Sequence, residues 1–541
     1  MVSLSSPIFE ALRIFCSAIG LSQELGIVET IDNTIKQDKN ERKITIGEAV
    51  KAMLLNGLGF VNRQLYLVPQ FFENKPLELL IKKGIKPNNL NDKVLGRALD
   101  SLYEYGITPL FSLISQRAFE NLNIVAKYHH LDSTAIHVDG EYNSNGDKKE
   151  GVVHITKGYS KDHRPDLNQV MLEMICENSH GIPLAMRALD GNSSDKVSFE
   201  KMVVDHIKSL NKTTTGIVVA DSAIYTADNL NSFRSNNIKW ITRVPNQIKE
   251  TKEIINSLSI DRMTPHSEDE RYSYISLRNS YADVNQHWIV VHSIPAKERA
   301  KKSISRKFDK LVDEEIKAFN SLKSVSFACE DDANRALNKL TKKLLLLEPI
   351  DTKIVEHKRY KKAGKPKKNQ QPDFYEYTVE SNYSFKIAPY HQEVWRKSVF
   401  ILASNDLNIE AEEIIDAYKN QFVVERGFRF IKSPEFLADS LYLKKPERIE
   451  ALLFIMTLCL MVYTSLEMKI RTSLKDNNEF FIDQKGKPTQ TPTARWVFQT
   501  FIDIHLLSIG TTQQIIMNLK DYHRVLLGVL GKKYLINYLL L

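Results

Sequence analysis

Cysteine is scarce in this chain of 541 residues, and the few cysteines that occur are scattered. They are Cys16, Cys176, Cys329 and Cys459. No two of them form a Cys-x-x-Cys pair, the spacing typical of zinc sites. Cysteines this far apart also provide no disulfide framework, which belongs to short, cysteine-rich secreted chains. The scarcity therefore argues against a zinc module and predicts a reducing compartment such as the cytoplasm.

A hydrophobic run long enough to cross a membrane is also missing. The strongest run, residues 451–463, lies between Glu450 and Glu467 and is shorter than the ~20 residues that a transmembrane helix requires. The N-terminus has no basic segment, and Glu10 and Arg13 lie where the apolar segment of a secretory signal would be. We therefore predict that 451–463 forms a buried core helix and that the protein has no membrane partner.

What the chain does have is an ordinary globular composition with a mild excess of positive charge. Hydrophobic residues make up 43% and charged residues 26%, which predicts several folded domains. The formal net charge of +8 is compatible with a polyanion such as DNA. The densest basic run, residues 358–372, is typical of an extended loop. Such a loop either contacts a phosphate backbone or is simply solvated, and the sequence leaves both open.

The first 116 residues have a helical pattern with alternating apolar and charged faces. Thr45 and Glu48 have the spacing of a capping box at the start of one helix, and Asn91 can cap another. Short capped helices build either a helix-turn-helix or a plain helical bundle. We favour the bundle because no recognition helix stands out. We assign 1–116 to a helical N-terminal domain, in which a helix-turn-helix would imply DNA binding.

Residues 117–245 have the pattern of an α/β domain. A first strand at 125–138 contains Asp132, and two further apolar runs at 169–176 and 183–189 predict an antiparallel meander. A helix follows, and then a short buried strand, 216–221, ends in Asp221. Another helix and a strand at 240–244 complete a βαβ unit.

The α/β pattern is then interrupted and resumes later. Residues 246–395 are polar and rich in Lys and Tyr, which predicts an α+β insertion domain. A strand at 398–404 leads into a long helix, 409–432, that carries Glu425. We therefore predict an α/β core made of 117–245 and 396–445, split by the insertion, and a helical C-terminal region at 446–541.

The second half of that long helix concentrates charged and hydrogen-bonding side chains on one face. In a continuous helix they fall within an arc of about 80°; they are Tyr418, Gln421, Glu425, Arg429 and Lys432. One interpretation is a solvated face on which Glu425 and Arg429 form a salt bridge. The other is a carboxylate that binds a metal ion facing phosphates, with cations beside it.

Asp132, Asp221 and Glu425 form a set of acids from three separate elements. Adjacent first and fourth strands in a mixed sheet would place the two aspartates side by side, with the helix packing Glu425 against them. Carboxylates are hard oxygen ligands, which favour Mg²⁺ or Mn²⁺ over zinc. Two such ions would promote an in-line displacement at a phosphodiester. In this prediction Asp132 bridges both ions, and Asp221 and Glu425 each hold one.

Several stretches resemble the DDE transposases of bacterial insertion sequences. They are His-Leu-Asp-Ser-Thr at 130–134, Gly-Tyr-Ser-Lys-Asp-His-Arg-Pro-Asp-Leu at 158–167, Gly-Ile-Pro-Leu at 181–184 with Asp-Gly-Asn-Ser-Ser-Asp at 190–195, and Val-Ala-Asp-Ser-Ala at 219–223. In particular, the chain resembles the insertion-sequence family numbered four and its relatives in the group numbered sixteen thirty-four.

That family carries Tyr, Arg, Glu and Lys at fixed spacing on the helix of its catalytic glutamate. Tyr418, Glu425 and Lys432 match this spacing. Gln421 occupies the position of the family's Arg, and Arg426 and Arg429 are the nearby cations that could substitute for it.

The resemblance implies an RNase H-like core, a mixed sheet with flanking helices, split by the insertion domain. It implies an enzyme that cuts the terminal inverted repeats of its element and joins them to target DNA with Mg²⁺. The DNA-binding residues on the glutamate helix would be Tyr418, Gln421, Arg429 and Lys432. We expect a homodimer in the DNA complex, located in the prokaryotic cytoplasm at the nucleoid.

Arg164 is a further candidate for DNA contact. It lies in a segment of mixed charge at 161–166. Its guanidinium either binds a phosphate or target DNA, or forms a salt bridge with Asp162 or Asp166.

Two other functions are open on the same fold. One is a DNA-binding protein without catalysis, and the other is a structure-selective nuclease. The presence of all three acids favours catalysis over binding alone. Only a test of strand joining separates a transposase from a nuclease.

Overall fold

The computed structural model describes most of the chain. The described residues are 8–11, 14–37, 42–60, 64–140, 142, 151–159, 164–210, 216–361, 364, 370–433, 443–509 and 513–538. Within the basic run 358–372, residues 362, 363 and 365–369 lie outside the described residues. The segment 160–163, which contains Asp162, also lies outside them.

The N-terminal region is helical, as its pattern predicts. The Thr45 hydroxyl accepts from the Glu48 N–H at 3.1 Å, and the Glu48 carboxylate accepts from the Thr45 N–H at 2.9 Å, so the capping box is confirmed. The elements are β1 (Ile8–Ala11), α1 (Phe15–Glu24), α2 (Ile27–Thr34), α3 (Ile46–Leu58), α4 (Val68–Phe72), α5 (Leu77–Leu80), α6 (Asp92–Tyr105) and α7 (Ile107–Leu122).

The next segment builds half of a central sheet. Its elements are β2 (Tyr128–His137), β3 (Gln169–Glu177), β4 (Pro183–Leu189), α8 (Asp195–Ser209), β5 (Ile217–Ala220), α9 (Ala227–Ser235) and β6 (Trp240–Arg243). The strands β2, β3 and β4 form the predicted antiparallel meander. The strand β5 pairs in parallel with β2 on one side and with β6 on the other. This confirms the predicted mixed sheet with the first and fourth strands adjacent.

The sheet continues into the segment that the sequence assigns to an insertion. The elements are α10 (Lys249–Ser257), β7 (Thr264–Pro265), β8 (Tyr272–Tyr281), β9 (Val284–Ser293), α11 (Ile294–Lys323), α12 (Glu330–Thr341), β10 (Leu347–Arg359), β11 (Phe374–Phe385), α13 (Ala388–Ser398) and β12 (Val399–Ser404). The nine strands of the central sheet have the order β4-β3-β2-β5-β6-β12-β9-β8-β7.

The prediction that all of 246–395 lies outside the core sheet is therefore wrong. The strand β9 is buried along nearly its whole length and pairs antiparallel with β12, and β7 and β8 follow it at the edge. The segments around β9 are polar, so the sequence pattern did not indicate a core strand there. Its partner β12 lies over 100 residues further along the chain. The part outside the sheet consists of α10, α11, α12, α13 and the β10–β11 hairpin.

The part of the chain after β12 is mainly helical. Its elements are α14 (Ala411–Lys419), α15 (Phe422–Ile431), α16 (Pro446–Asp476), β13 (Phe481–Ile482), β14 (Pro488–Thr489), α17 (Ala494–Thr500), β15 (His505–Ile509), β16 (Gln513–Met517), α18 (Asp521–Leu530) and α19 (Lys532–Asn537). The prediction of a helical C-terminal region misses its strands. The strand β15 pairs with both β1 and β16, so its partner from the far end of the chain could not be inferred locally.

The long helix α16 is the predicted core helix. Within the described residues it is the one helix long and apolar enough to cross a membrane, but 89% of its most apolar window is buried in the protein. It packs against helices from both ends of the chain, including α3, α6 and α18, and against α15. Its apolar composition is therefore explained by its place in the core.

The two faces of the central sheet are covered by different sets of apolar side chains. On one face Ile217, Val219 and Ile241 pack with side chains of α14. On the other face Val218 and Trp240 belong to a second, larger hydrophobic cluster. Because side chains alternate along a strand, two-sided burial fixes which residues face each layer.

Gly191 lies after β4, where three backbone segments meet. Its N–H donates to the His154 carbonyl at 3.0 Å, and its carbonyl accepts from the Gln169 amide at 2.6 Å. A Cβ at this position would lie 2.1 Å from the Gln169 carbonyl oxygen and 2.5 Å from that of Thr156. Backbone atoms cannot retreat as a flexible side chain can.

We expect Gly191→Ala to destabilise the fold by about 3 kcal/mol, the upper part of the range for overpacked sites. Denaturant midpoints of the purified variant would measure the loss. Gly528→Ala is the matched control, because a Cβ there meets no atom within 4 Å and alanine is the better helix former. An unchanged midpoint for Gly191→Ala would contradict the described packing.

Candidate active site

Asp132 and Asp221 lie side by side on paired parallel strands. Leu131 of β2 pairs with Ala220 of β5, and each aspartate is the next residue along its chain. The Asp132 carboxylate accepts from the Ser133 N–H at 2.8 Å, and the Asp221 carboxylate accepts from the Ala223 N–H at 2.8 Å. The predicted juxtaposition of the two aspartates is therefore present, and local backbone contacts orient both carboxylates.

Arg243 extends this row, and the sequence analysis missed it. Ala220 pairs with Thr242 of β6, so Arg243 lies next to Asp221 at the end of the third parallel strand. The Thr242 hydroxyl donates to the Asp221 carbonyl at 2.6 Å and ties the two strand ends together. The Arg243 guanidinium lies over the Phe400 ring, 5.3 Å from its centroid. The sequence signal that could have identified it is its position at the end of the last strand of the βαβ unit, next to the strand that carries Asp221.

The helix predicted at 409–432 is two helices, and this prediction is wrong in a way that affects the site. The helix α14 ends at Lys419 and α15 begins at Phe422. Between them the hydrogen bonds shorten to the i→i+3 type, with the Gln421 N–H donating to Tyr418 and the Val423 N–H to Asn420. The predicted polar stripe therefore does not form one continuous helical face.

The junction between the two helices lies above the aspartates. The helix α14 packs on β5, β6, β9 and β12, whereas α15 packs on β2 and β3. The chain therefore crosses from one side of the β2–β5 pair to the other at Asn420 and Gln421. This crossing brings Tyr418 and Glu425, on different helices, to the end of the sheet that carries Asp132 and Asp221.

The pKa of Tyr418 depends on its burial and on the charged groups near it. Burial raises the pKa of its phenol to about 12, and the carboxylates of Asp221, Asp132 and Glu425 add to this while Arg243 opposes it. Its ring packs at an angle against Phe400, with centroids 6.3 Å apart. The phenol is therefore neutral at ordinary pH and can donate a hydrogen bond beside three acids and one guanidinium.

Glu425 is exposed, and within the described residues it forms no hydrogen bond or ion pair. The alternative of a salt bridge with Arg429 is therefore not realised. Arg429 is also exposed and makes no ion pair in the described part of the chain. Gln421 directly precedes α15 and Lys432 directly follows it, and both residues are half-buried.

Arg164 lies away from these elements, in an exposed segment. Its guanidinium pairs with the Asp166 carboxylate at 2.8 Å, so the salt-bridge alternative with Asp166 is realised. The contact lowers the pKa of the Asp166 carboxyl. Such an exposed pair contributes little to stability.

Two clefts adjoin the row of aspartates. The first, which we name the cationic cleft, has a volume of about 860 Å³ and is lined by Glu425 together with five cations. These are Arg243, Arg299, Arg396, Lys397 and Lys419. The second, the aspartate cleft, has a volume of about 700 Å³ and is lined by Asp221. Arg243 and Asn246 line both clefts and form the wall between them.

The donor set suits a hard divalent cation, although its members are not gathered around one point. Among the described residues no three His, Cys, Asp or Glu side chains stand at metal-binding distance from a common centre. Two carboxylates come from adjacent strands, Asp132 from within β2 and Asp221 from the end of β5, and Glu425 comes from the helix beside them. Ligands of this type fit Mg²⁺ or Mn²⁺ rather than zinc.

Arg426 is turned away from the site and anchors α15 from behind. Its guanidinium donates to the His180 carbonyl at 3.0 Å and lies 3.9 Å from the Glu467 carboxylate of α16. Arg471 pairs with the same carboxylate at 2.8 Å. Arg426 therefore does not supply the cation that Gln421 lacks.

A family model described as a transposase DDE domain matches residues 130–462, and the chain belongs to this family. It is a DNA transposase, which confirms the predicted enzyme class. A second family model, described as a domain of unknown function, matches residues 12–116. Comparison with curated proteins gives no match.

Among solved structures, the chain is similar to a piggyBac transposase in a synaptic complex with hairpin DNA, determined by cryo-EM. The TM-score is 0.37 at 10% sequence identity, and the match covers 98% of this chain and 88% of that chain.

We expect Arg426→Met to loosen α15 specifically. Losing its hydrogen bond and the contact to Glu467 removes about 1 kcal/mol of local stability, which corresponds to several-fold faster hydrogen exchange of the amides in 422–431. Hydrogen exchange with mass spectrometry would measure this. Arg471→Met is the matched control, because it also breaks a contact to Glu467 but does not touch α15. Equal exchange of 422–431 in both variants would contradict the anchoring role.

Proposed function

We propose that this transposase cuts the ends of an insertion sequence and joins them to target DNA, with Asp132, Asp221 and Glu425 as its catalytic acids. The observation that carries the proposal is the placement of the two aspartates on paired parallel strands beside Tyr418. The negative charges of both aspartates and of Glu425 raise the pKa of that half-buried tyrosine further. The membership of an insertion-sequence group, inferred from the motifs, is part of the proposal.

The core is proposed to be RNase H-like. The arrangement that supports this is a meander of β4, β3 and β2 followed by β5 and β6 parallel to β2. The insertion is proposed to be the segment from α11 to α13, which leaves the sheet after β9 and returns at β12. The helical N-terminal region is proposed to bind the DNA ends.

The three acids are proposed to hold two Mg²⁺ or Mn²⁺ ions, Asp132 and Asp221 from the sheet and Glu425 from α15. When bound, such ions supply positive charge that activates the attacking oxygen and stabilises the leaving oxygen at phosphorus. The chain's own contribution is to hold the two aspartates on paired strands and Glu425 on a packed helix, and to present neutral and cationic donors around them.

The reaction has two displacements at phosphorus. In cleavage, a water oxygen bonds to the phosphorus at the element end, the P–O3′ bond breaks, and the departing oxygen gains a proton to become a 3′ hydroxyl. In joining, that hydroxyl loses its proton and its oxygen bonds to a phosphorus of the target, whose own P–O3′ bond breaks. The number of phosphodiester bonds is unchanged in the second step.

The DNA strand at the site is proposed to be held by neutral and cationic donors. Tyr418 donates its phenolic hydrogen to a phosphate oxygen, and Arg429 and Lys432 follow Glu425 along α15. Gln421 lies in the cationic cleft as an amide donor. Arg243 supplies the cation at this point in place of the family's Arg, because it lines the same cleft and has no ion-pair partner in the described residues.

The partners are proposed to be the terminal inverted repeats and the target DNA, bound by a homodimer at the nucleoid of a prokaryotic cytoplasm. Arg164 is proposed to exchange Asp166 for a phosphate when DNA is bound, since both side chains of the pair are exposed to solvent. The cations of the cleft and the net charge of +8 suit this polyanion.

The catalytic proposal is tested with duplexes that carry the inverted repeats flanking the gene. We expect Asp132→Asn, Asp221→Asn and Glu425→Gln each to lower Mg²⁺-dependent end cleavage and joining by at least ~10³-fold, since each removes several kcal/mol of charge stabilisation. Asp205→Asn, on the exposed side of α8, serves as the control.

Cleavage that survives in all three variants would overturn the assignment of these acids. Cleavage without joining by the unaltered protein would instead indicate a nuclease. Binding of the ends without either step, in the presence of Mg²⁺ or Mn²⁺, would indicate a protein that binds DNA without catalysis.

The role of Arg243 is tested by loss and rescue. We expect Arg243→Met to weaken end cleavage at least about tenfold, because a charge-assisted contact to phosphate is lost. We expect the double variant Arg243→Met with Gln421→Arg to recover most of that loss, because the cation is restored from the helix side of the same cleft. Arg335→Met, an exposed arginine of α12, is the control. Full activity of Arg243→Met, or no recovery in the double variant, would contradict the proposal that Arg243 replaces the family's Arg.

A further inference from the structure

The aspartate cleft adjoins the proposed catalytic acids, yet of the proposed DNA-binding residues only Arg243 lines it. Besides Asp221 and Arg243, the lining of the cleft is neutral. It includes four side chains that can donate a hydrogen bond, which are Ser222, Thr226, Asn246 and Gln247. The volume of about 700 Å³ lies in the range of sites for small ligands, so the cleft has room for a nucleotide.

The two clefts lie towards opposite faces of the central sheet. Aromatic side chains that line the cationic cleft pack with the apolar cluster on the α14 face; they are Tyr272, Phe400 and Tyr418. Side chains that line the aspartate cleft pack with the cluster on the other face, to which α9 contributes; they are Tyr225, Val244, Ile248 and Tyr281. The row of Asp132, Asp221 and Arg243 at the end of the sheet is therefore the boundary between the clefts.

The clefts also differ in charge. Five cations line the cationic cleft, whereas Arg243 is the one cation among the lining residues of the aspartate cleft. Arg299 of the cationic cleft is exposed and, in the described part of the chain, forms no ion pair. A strongly cationic cleft suits the element end, which stays bound through both steps of the reaction. A cleft of neutral donors suits a DNA strand that binds once and without regard to its sequence.

One wall of the aspartate cleft is fixed in place. The Tyr281 ring stacks on the Tyr225 ring, with centroids 5.2 Å apart. The Tyr225 phenol donates to the Gln286 side-chain oxygen at 2.7 Å. A wall that is already ordered lowers the entropic cost of positioning a strand against it.

The chemistry of the two steps assigns different molecules to the two sides of the phosphorus. In an in-line displacement the attacking and departing oxygens lie on opposite sides of the phosphorus. The 3′ oxygen of the element departs in cleavage and attacks in joining, so it stays on one side in both steps. The opposite side holds the attacking water in cleavage. In joining it holds the departing 3′ oxygen of the target strand.

We propose that the aspartate cleft is the binding site for the target strand and holds the nucleotide whose 3′ oxygen departs in joining, while the cationic cleft holds the element end. This assignment rests on the proposed function and adds to it the place where the target binds. Gln247 is the residue on which the test depends. It is exposed, it lines the aspartate cleft, and it does not line the cationic cleft.

The assignment predicts that a change at Gln247 separates joining from cleavage. Joining is measured with pre-cleaved ends over a range of target concentrations, and cleavage is measured with uncut ends. We expect Gln247→Glu to lower joining about tenfold at low target concentration, because it brings a negative charge to the target phosphates. Saturating target should restore joining. Cleavage should stay within about twofold, because only water occupies that side of the phosphorus in cleavage.

A gain of function and two matched variants complete the test. Gln247→Lys should raise joining several-fold at low target concentration, which a misfolded protein would not do. Arg299→Glu, in the cationic cleft, should lower both cleavage and joining, and added target should not restore either. Gln514→Glu, at an exposed position of β16, is the control and should change neither step.

Equal loss of cleavage and joining in Gln247→Glu, or unchanged joining in both variants at this position, would overturn the proposal. A readout that does not depend on catalysis separates this result from failure of the proposed function. In the Asp132→Asn protein, a photocrosslinking side chain at position 247 should attach to labelled target duplex, and one at position 299 should attach to the element end. Attachment of position 247 to the element end instead of the target would also overturn the proposal.

Discussion

The parallel pairing of β2 with β5 is the constraint on which the site depends. Leu131 opposite Ala220 leaves Asp132 and Asp221 at the same level of the sheet. A slip of one residue would turn one aspartate to the opposite face. Burial prevents that slip, since Ile217 and Val219 face the α14 layer and Val218 faces the other layer. The strands are fixed by apolar packing on both sides. Asp221 occupies the first position beyond β5, and Asp132 lies beside it within β2.

The glutamate helix is held by a different principle, through contacts on the side away from the clefts. Gly427 lets α15 approach so closely that a Cβ there would lie 2.9 Å from Leu460 of α16. The Phe430 ring lies 4.5 Å from the Tyr463 ring, and Arg426 is bound to the turn after β3. Glu425 is thereby left exposed on a helix whose buried side is anchored. Its position relative to the aspartates is therefore a matter of helix packing rather than of strand register.

Sequence analysis could predict the strand-borne part of this arrangement and not the rest. An acid at the end of a short apolar strand is visible locally, and neighbouring strands follow from the βαβ pattern, so the pairing of Asp132 with Asp221 was within reach. Arg243 lies beside Asp221 because of the same strand pairing. It was missed because only acidic residues were sought on the strands. The break at Asn420 was not predictable, since its tightened hydrogen bonds involve no proline or glycine.

The core strand β9 shows a second limit. Its residues are buried because β12 and β8 pair on either side of it, and β12 lies more than 100 residues later in the chain. Polar residues within the strand itself, such as Asn285 and Gln286, gave the segment the composition of an insertion. A short stretch of sequence contains little information about long-range pairing of this kind, whereas it does show acids at turns and the capping residues of helices.

The proposed replacement of the family's helix arginine by Arg243 has a physical reason. Strand register fixes a residue at a strand end, whereas helix packing fixes a residue at the helix junction. An arginine at 421 would project from a junction where the helix is interrupted, between two separately packed segments. Arg243 projects from a strand end that is tied to Asp221 by the Thr242 hydroxyl and is stacked on Phe400. A cation fixed in register with the aspartates loses less side-chain freedom when it meets a phosphate. The sheet can therefore provide, next to its own acids, the charge that the interrupted helix lacks.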